Sequence, residues 1–90
     1  MDTIWKFNFE INHTVEIQMP FGAEILHVDD QYGMPTLWAQ VDPTAQTSTI
    51  KLVVRGTGQP FQGNEGKHIG TFQQFEGAGV LVWHVFRALE

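Results

Sequence analysis

Trp5-Lys6-Phe7-Asn8-Phe9-Glu10-Ile11 alternates large apolar residues with polar ones, and after Asn12-His13 the alternation resumes in Val15-Glu16-Ile17-Gln18-Met19. Successive side chains of an extended chain point to opposite faces, so a period of two marks strands with one face buried and one wetted. Asn12-His13 reads as the turn of an opening hairpin between the two runs. Pro20 has no N–H for a ladder and Gly22 permits unusual backbone angles, so the second strand stops there.

The pattern repeats outward from that pair. Residues 24–30 predict a third strand and Gln31-Tyr32-Gly33-Met34-Pro35 a turn. Residues 36–41 predict a fourth strand, ended by the turn-forming pair Asp42-Pro43 and a polar loop over residues 44–48. In residues 49–55, Ile50, Leu52 and Val54 oppose Lys51, Val53 and Arg55. After a glycine-rich segment, residues 68–76 and 80–89 give two more strands around Gly77-Ala78-Gly79. Only residues 86–90 leave room for a helical turn; no other stretch combines helical spacing with caps. About seven short, mainly antiparallel strands predict an all-β domain over residues 1–90, a small sandwich or barrel.

Ninety residues with 42% hydrophobic content suffice for one domain with one core. Three Trp and seven Phe, each able to bury about 150–250 Å², supply much of it. The chain has no cysteine, so no disulfide supports the fold, which fits a reducing compartment. No charged leader precedes an apolar run, and no apolar stretch reaches the roughly 18 residues of a membrane helix. A cytoplasmic protein is expected. The net charge of −5 and the lack of a basic cluster richer than Lys51 with Arg55 argue against nucleic acid as a partner. The carboxylates are dispersed apart from Asp29-Asp30, which argues against a mimic of DNA.

Reactive groups are scarce. With no Cys and a single Ser, Ser48, outside any glycine elbow, a Ser or Cys hydrolase is excluded. Thr57, between Gly56 and Gly58, is the one hydroxyl in a suggestive setting, though a turn threonine is the plainer reading. His13, His27, His68 and His84 show no metal-motif spacing. His27 and Asp29 share a strand face, and a site with His84 would need the fold to bring them together. Asp29 and Asp30 are adjacent, so on a strand they point apart and cannot flank one substrate. No metal and no cofactor are expected, and the best acid–base candidates for an enzyme are His84 and His27.

Residues 55–67, Arg-Gly-Thr-Gly-Gln-Pro-Phe-Gln-Gly-Asn-Glu-Gly-Lys, carry the most information about function. Four glycines leave backbone N–H groups accessible, as an anion-binding concavity requires. Arg55 and Lys67 flank them, and Arg grips phosphate or carboxylate through two parallel hydrogen bonds. The segment lacks the Lys-Ser/Thr ending of a P-loop. Long loops in compact domains are functional or merely connecting, and both readings stand. Trp5 and Trp83 lie in alternating runs and are expected in the core. Trp38 is out of phase with Leu37, Ala39 and Val41, so it is expected to face outward beside Gln40, as an interface anchor or a stacking surface. His84 and Trp83 are opposite in phase, so only one of them faces the core.

A set of fragments then recurs in order: Thr3-Ile4-Trp5-Lys6-Phe7, Met19-Pro20 with Gly22-Ala23, Ile25-Leu26-His27-Val28, and Leu37-Trp38-Ala39 with Val41-Asp42-Pro43. Gly56-Thr57-Gly58 with Pro60, Ile69-Gly70-Thr71 with Gln73, and Leu81-Val82-Trp83-His84-Val85-Phe86 complete it. Together they resemble a family of small, largely uncharacterised proteins encoded by bacteriophages and prophages. The resemblance covers nearly the whole chain and carries over no active-site residue. It implies the cytoplasm of a bacterial host and a counter-defence protein that sequesters, without cleaving, a phosphate-bearing, nucleotide-type immune signal. Trp38, Arg55, Gly56, Thr57, Gly58, Lys67 and His84 are the candidate ligand residues. A homo-oligomer is expected, because small β domains expose sheet edges that pairing covers. The rivals are an inhibitor that lays Trp38 and an acidic rim on a host protein, and a minor structural or regulatory phage component.

Overall fold

The computed structural model describes residues 1–89. Seven strands run β1 (Thr3–Asn8), β2 (Thr14–Pro20), β3 (Glu24–Gln31), β4 (Met34–Val41), β5 (Thr47–Gly56), β6 (Glu65–Glu76) and β7 (Gly79–Ala88). They form two antiparallel sheets, β1-β4-β3 and β2-β5-β7-β6, packed as a sandwich. The period of two explains this layering. Ile17 and Met19, Leu37, Ala39 and Val41, Ile50, Leu52 and Val54, and Val85 all point between the sheets and are buried together with Phe9, Val28 and Phe72.

The opening hairpin does not form. β1 pairs with β4, Thr3 opposite Val41 through Asn8 opposite Thr36, whereas β2 pairs with β5. Residues 9–13 therefore carry the chain from one sheet to the other. Phe9 fixes the crossing, its ring buried edge-on against Phe72 at 6.4 Å and its N–H donating to the Pro35 carbonyl. Trp5 keeps the inner phase opposite Ala39, but β1 is an edge strand and the indole is 41% exposed instead of buried. Residues 86–88 continue β7 instead of turning helical, and Glu90 of the expected turn lies outside the described residues.

True hairpins join β3 to β4 and β6 to β7. Tyr32 and Gly33 both adopt positive φ, 52° and 86°, the geometry a tight two-residue hairpin turn needs. The sandwich is closed along one long side, where β3 meets β6. A Cβ on Gly70 would lie 2.7 Å from Val28 Cγ2, so the two strands touch through a position where only glycine fits. Both strands are bulged nearby, β3 between Ile25 and His27 and β6 on either side of His68.

Candidate functional site

Arg55 follows the outward phase of β5, yet it is only 2% exposed. The glycine-rich segment after it folds back over the outer face of β5 and β7. The guanidinium is consumed by that fold: Nε donates to Glu65 Oε2 at 2.8 Å, Nη2 to Asn64 Oδ1 at 2.9 Å, and Nη1 to the carbonyls of Val54 at 2.9 Å and His13 at 3.3 Å. The Glu65 carboxylate also accepts the N–H groups of Gln62 at 2.9 Å and Gly63 at 3.0 Å. Two backbone N–H groups of the segment expected to receive an anion are thus taken by the chain's own Glu65. Burial alone would push the Glu65 carboxyl up, but the N–H groups of Gln62, of Glu65 itself and of Gly63, with the guanidinium, hold it below its ordinary value. With four of its five N–H donors engaged and its side chain only 3% exposed, Arg55 is held inside the fold instead of facing a ligand, which corrects its expected role.

Beside this clasp runs a row of polar side chains on the outer face. Thr57 Oγ1 lies 2.8 Å from His84 Nε2, His84 Nδ1 lies 3.1 Å from Thr71 Oγ1, and Thr71 Oγ1 lies 3.0 Å from His68 Nε2. One consistent polarity has Thr57 donating to His84, His84 to Thr71 and Thr71 to His68; the reverse is equally consistent. Thr57 and His84 have the spacing of a nucleophile and its base. The group that orients the imidazole, however, is a neutral hydroxyl, which cannot stabilise an imidazolium as a carboxylate does. The row is suited to presenting donors and acceptors. Gly56 to Gln59 form a tight turn, with Gln59 N–H on the Gly56 carbonyl and Thr57 N–H on the Val82 carbonyl, and Gly58 takes φ +94°.

His68 joins the row to a second feature. Its ring stands edge-on to Phe86 at 5.3 Å, and Phe61 contacts the same Phe86 at 5.3 Å. On its other side opens a groove of about 280 Å³ between the bulged ends of β3 and β6. Apolar Ala23, Ile25 and Ile69 line it together with Lys67, His68, Arg87 and Glu24. Lys67 and Arg87 are exposed, and neither makes a side-chain hydrogen bond or ion pair among the described residues. Bulges re-aim side chains beside functional surfaces, and Lys67 of this groove lies within the irregular stretch of β6 between Glu65 and His68.

Residues 1–90 match the family described as Domain of unknown function (DUF7352). The chain is a DUF7352 domain. No curated protein and no solved structure matches it.

In this DUF7352 domain the expected site residues divide into three groups. Arg55, Gly56, Thr57, Gly58 and His84 do cluster, with Arg55 beneath the segment and the others at its surface. Lys67 belongs to the groove, reached through His68. Trp38 does face outward, but on the other sheet: it lies opposite Lys6 and His27, with the His27 ring 5.7 Å away. It is on the far face of the sandwich from Thr57 and His84, so within one chain it cannot share their ligand. His27 and Asp29 approach to 3.5 Å on that far face, also remote from His84, and among the described residues no three metal-ligating side chains converge. Sequence reasoning missed Glu65, His68, Thr71, Phe86 and Arg87. Glu65 was within the segment it singled out, whereas Arg87 meets Lys67 only because β6 and β7 are neighbours.

Proposed function

We propose that the DUF7352 domain is a non-catalytic binding protein that holds a phosphate-bearing, nucleotide-type small molecule. The anionic group enters the groove of Lys67, His68 and Arg87, and the ring system lies toward Phe61 and Phe86. One observation carries this reading: in a chain of net charge −5, two of the five Lys and Arg residues converge with a histidine on one groove and, among the described residues, make no other side-chain hydrogen bond or ion pair. Charge-assisted hydrogen bonds to phosphate are the strong kind, and the apolar lining accommodates the less polar part of a ligand. In a bacteriophage setting such a protein would act by sequestering a host immune signal. The row Thr57–His84–Thr71 contributes hydrogen bonds to the ligand and breaks no bond in it.

The test is a thermal-shift and calorimetric screen with inorganic phosphate, pyrophosphate, cyclic dinucleotides and ADP-ribose. A ligand that binds the folded state raises the melting temperature by mass action. The expected result is a shift in the native protein that disappears in Lys67→Ala and Arg87→Ala. Absence of any shift, or an equal shift in both variants, overturns the reading. Recovery of an altered ligand would point to catalysis instead. A second reading, a protein-binding surface centred on Trp38, is favoured by its outward indole and the exposed Ile4 and Leu26 on neighbouring strands. Trp38→Ala would abolish that function and leave nucleotide binding intact.

A further inference from the structure

We propose that two copies of this chain join edge to edge through β1, across a two-fold axis between their Ile4 residues, making one continuous six-stranded sheet from the two three-stranded ones. The sandwich has four edge strands: β1 and β3 in one sheet, β2 and β6 in the other. Exposed edges pair with other chains unless something blunts them, typically bulges, prolines and charges. β3 is bulged, carries Asp29 and Asp30, and is sealed against β6. β6 is bulged twice around His68. β2 carries Glu16 and ends in Pro20. β1 has none of these devices beyond Lys6. Its six residues pair with β4 without a break, it contains neither proline nor glycine, and Ile4 and Trp5 stand 60% and 41% exposed.

The occupant follows from charge and register. Antiparallel self-pairing must place residues of the same face opposite one another, which restricts the axis to a residue position. An axis at Lys6 sets Lys6 against Lys6 of the second copy, a repulsive pairing, and leaves Asp2 beyond the paired residues. An axis at Trp5 sets Asp2 against Asn8 and Lys6 against Ile4, with no charge satisfied. An axis at Ile4 sets Asp2 of each copy against Lys6 of the other, places the two Ile4 side chains together, and lays each Trp5 over Thr3 of the second copy. Asp2, Ile4 and Lys6 all lie on the outer face, where Asp2 accepts a hydrogen bond from Gln40 and Lys6 donates one to Gln31, both exposed and exchangeable. A ladder this short makes a weak, concentration-dependent dimer.

Sedimentation across a roughly hundredfold concentration range reads it directly, since association is driven by mass action. The native chain is expected to pass from monomer to dimer. Asp2→Lys and Lys6→Asp are each expected to remain monomeric at the concentration where the native chain is half dimeric. The doubly reversed Asp2→Lys, Lys6→Asp chain is expected to dimerise again, which a merely misfolded variant would not do. A native chain that stays monomeric, or any assembly that survives both single reversals, overturns the proposal, as does failure of the double reversal to restore it. The groove lies on the opposite long side of the sandwich, so ligand binding and dimerisation fail independently.

Discussion

Arg55 Nε and Glu65 Oε2 meet at 2.8 Å between side chains that are each 3% exposed, and this contact ties residues 57–64 to the sheet beneath them. Removing one partner of such a pair leaves the other charge without compensation. Arg55→Ala is therefore expected to lower the melting temperature by more than about 10 °C. Replacing both partners, Arg55→Met with Glu65→Met, should recover much of the loss. Thermal unfolding followed by circular dichroism measures both. Equal melting temperatures for the native chain and Arg55→Ala would mean the pair contributes nothing to the fold.

Acid should weaken the same contact. Burial raises the Glu65 carboxyl, but the amides of Gln62, Glu65 and Gly63 and the guanidinium outweigh it, and the folded value sits below the ordinary 4.5. Asp42 is likewise lowered, by hydrogen bonds from the Thr44 hydroxyl and amide. In both cases the unfolded chain binds a proton more readily than the folded one. Stability is fully present above pH 4.5 and is lost as the pH falls through the folded values. Glu65→Gln should flatten the acid limb of the stability-versus-pH curve, and Glu65→Gln with Asp42→Asn should flatten it further.

For the groove, each of Lys67→Ala and Arg87→Ala should weaken a phosphate ligand by roughly 10- to 100-fold, the range for a lost hydrogen bond to a charged group. Affinity should also fall with added salt, because both cations are exposed. Trp38→Ala, on the far face, should change it less than about twofold, since distant sites act independently. Isothermal calorimetry of the three variants separates these outcomes.

Gly70→Ala should destabilise the chain by about 1–3 kcal/mol, the usual consequence of overpacking. The new Cβ would meet Val28 Cγ2 at 2.7 Å, and that methyl is held in the core. Adding Val28→Ala should relieve the clash and return part of the loss. Denaturant unfolding reports both values.

A chain of hydrogen bonds crosses the sandwich near its hairpin end: Trp83 Nε1 donates to Gln74 Oε1 at 3.1 Å, and Gln74 Nε2 donates to Asp30 Oδ1 at 2.8 Å. Gln74→Leu leaves the half-buried indole N–H without its acceptor and should destabilise by about 1–3 kcal/mol. A shift in Trp83 emission in the folded variant would accompany it.

The strands were legible because alternation is a local signal. Trp38 was placed outward on phase alone, and the structure agrees. Pairing was not legible, because it depends on which sheet each strand joins: Asn12-His13 looks like a hairpin turn, and only the burial of Phe9 against Phe72 shows that the chain changes layers there. Arg55 shows the same limit. Its outward phase was correct, but phase cannot report that residues 57–64 return to cover it. The chemistry of the glycine segment was readable, since accessible amides beside an arginine attract an anion; that the anion would be Glu65 required its position in space. Joining Trp38 to that segment failed for want of topology, not of chemistry.

The strand order also governs how the polypeptide acquires its shape. Only β3 with β4 and β6 with β7 are adjacent both along the chain and in a sheet, whereas β1 awaits β4 and β2 awaits β5. Trp5, Phe7, Phe9, Val15 and Ile17 therefore have no lasting partners until residues 34–56 have been synthesised. Such distant closures are entropically unfavourable and slow, and during that interval the first twenty residues are the stretch most exposed to sticking to one another or to a neighbouring nascent chain. A hairpin of these first two strands would be incompatible with the native pairings, in which β1 joins β4 and β2 joins β5.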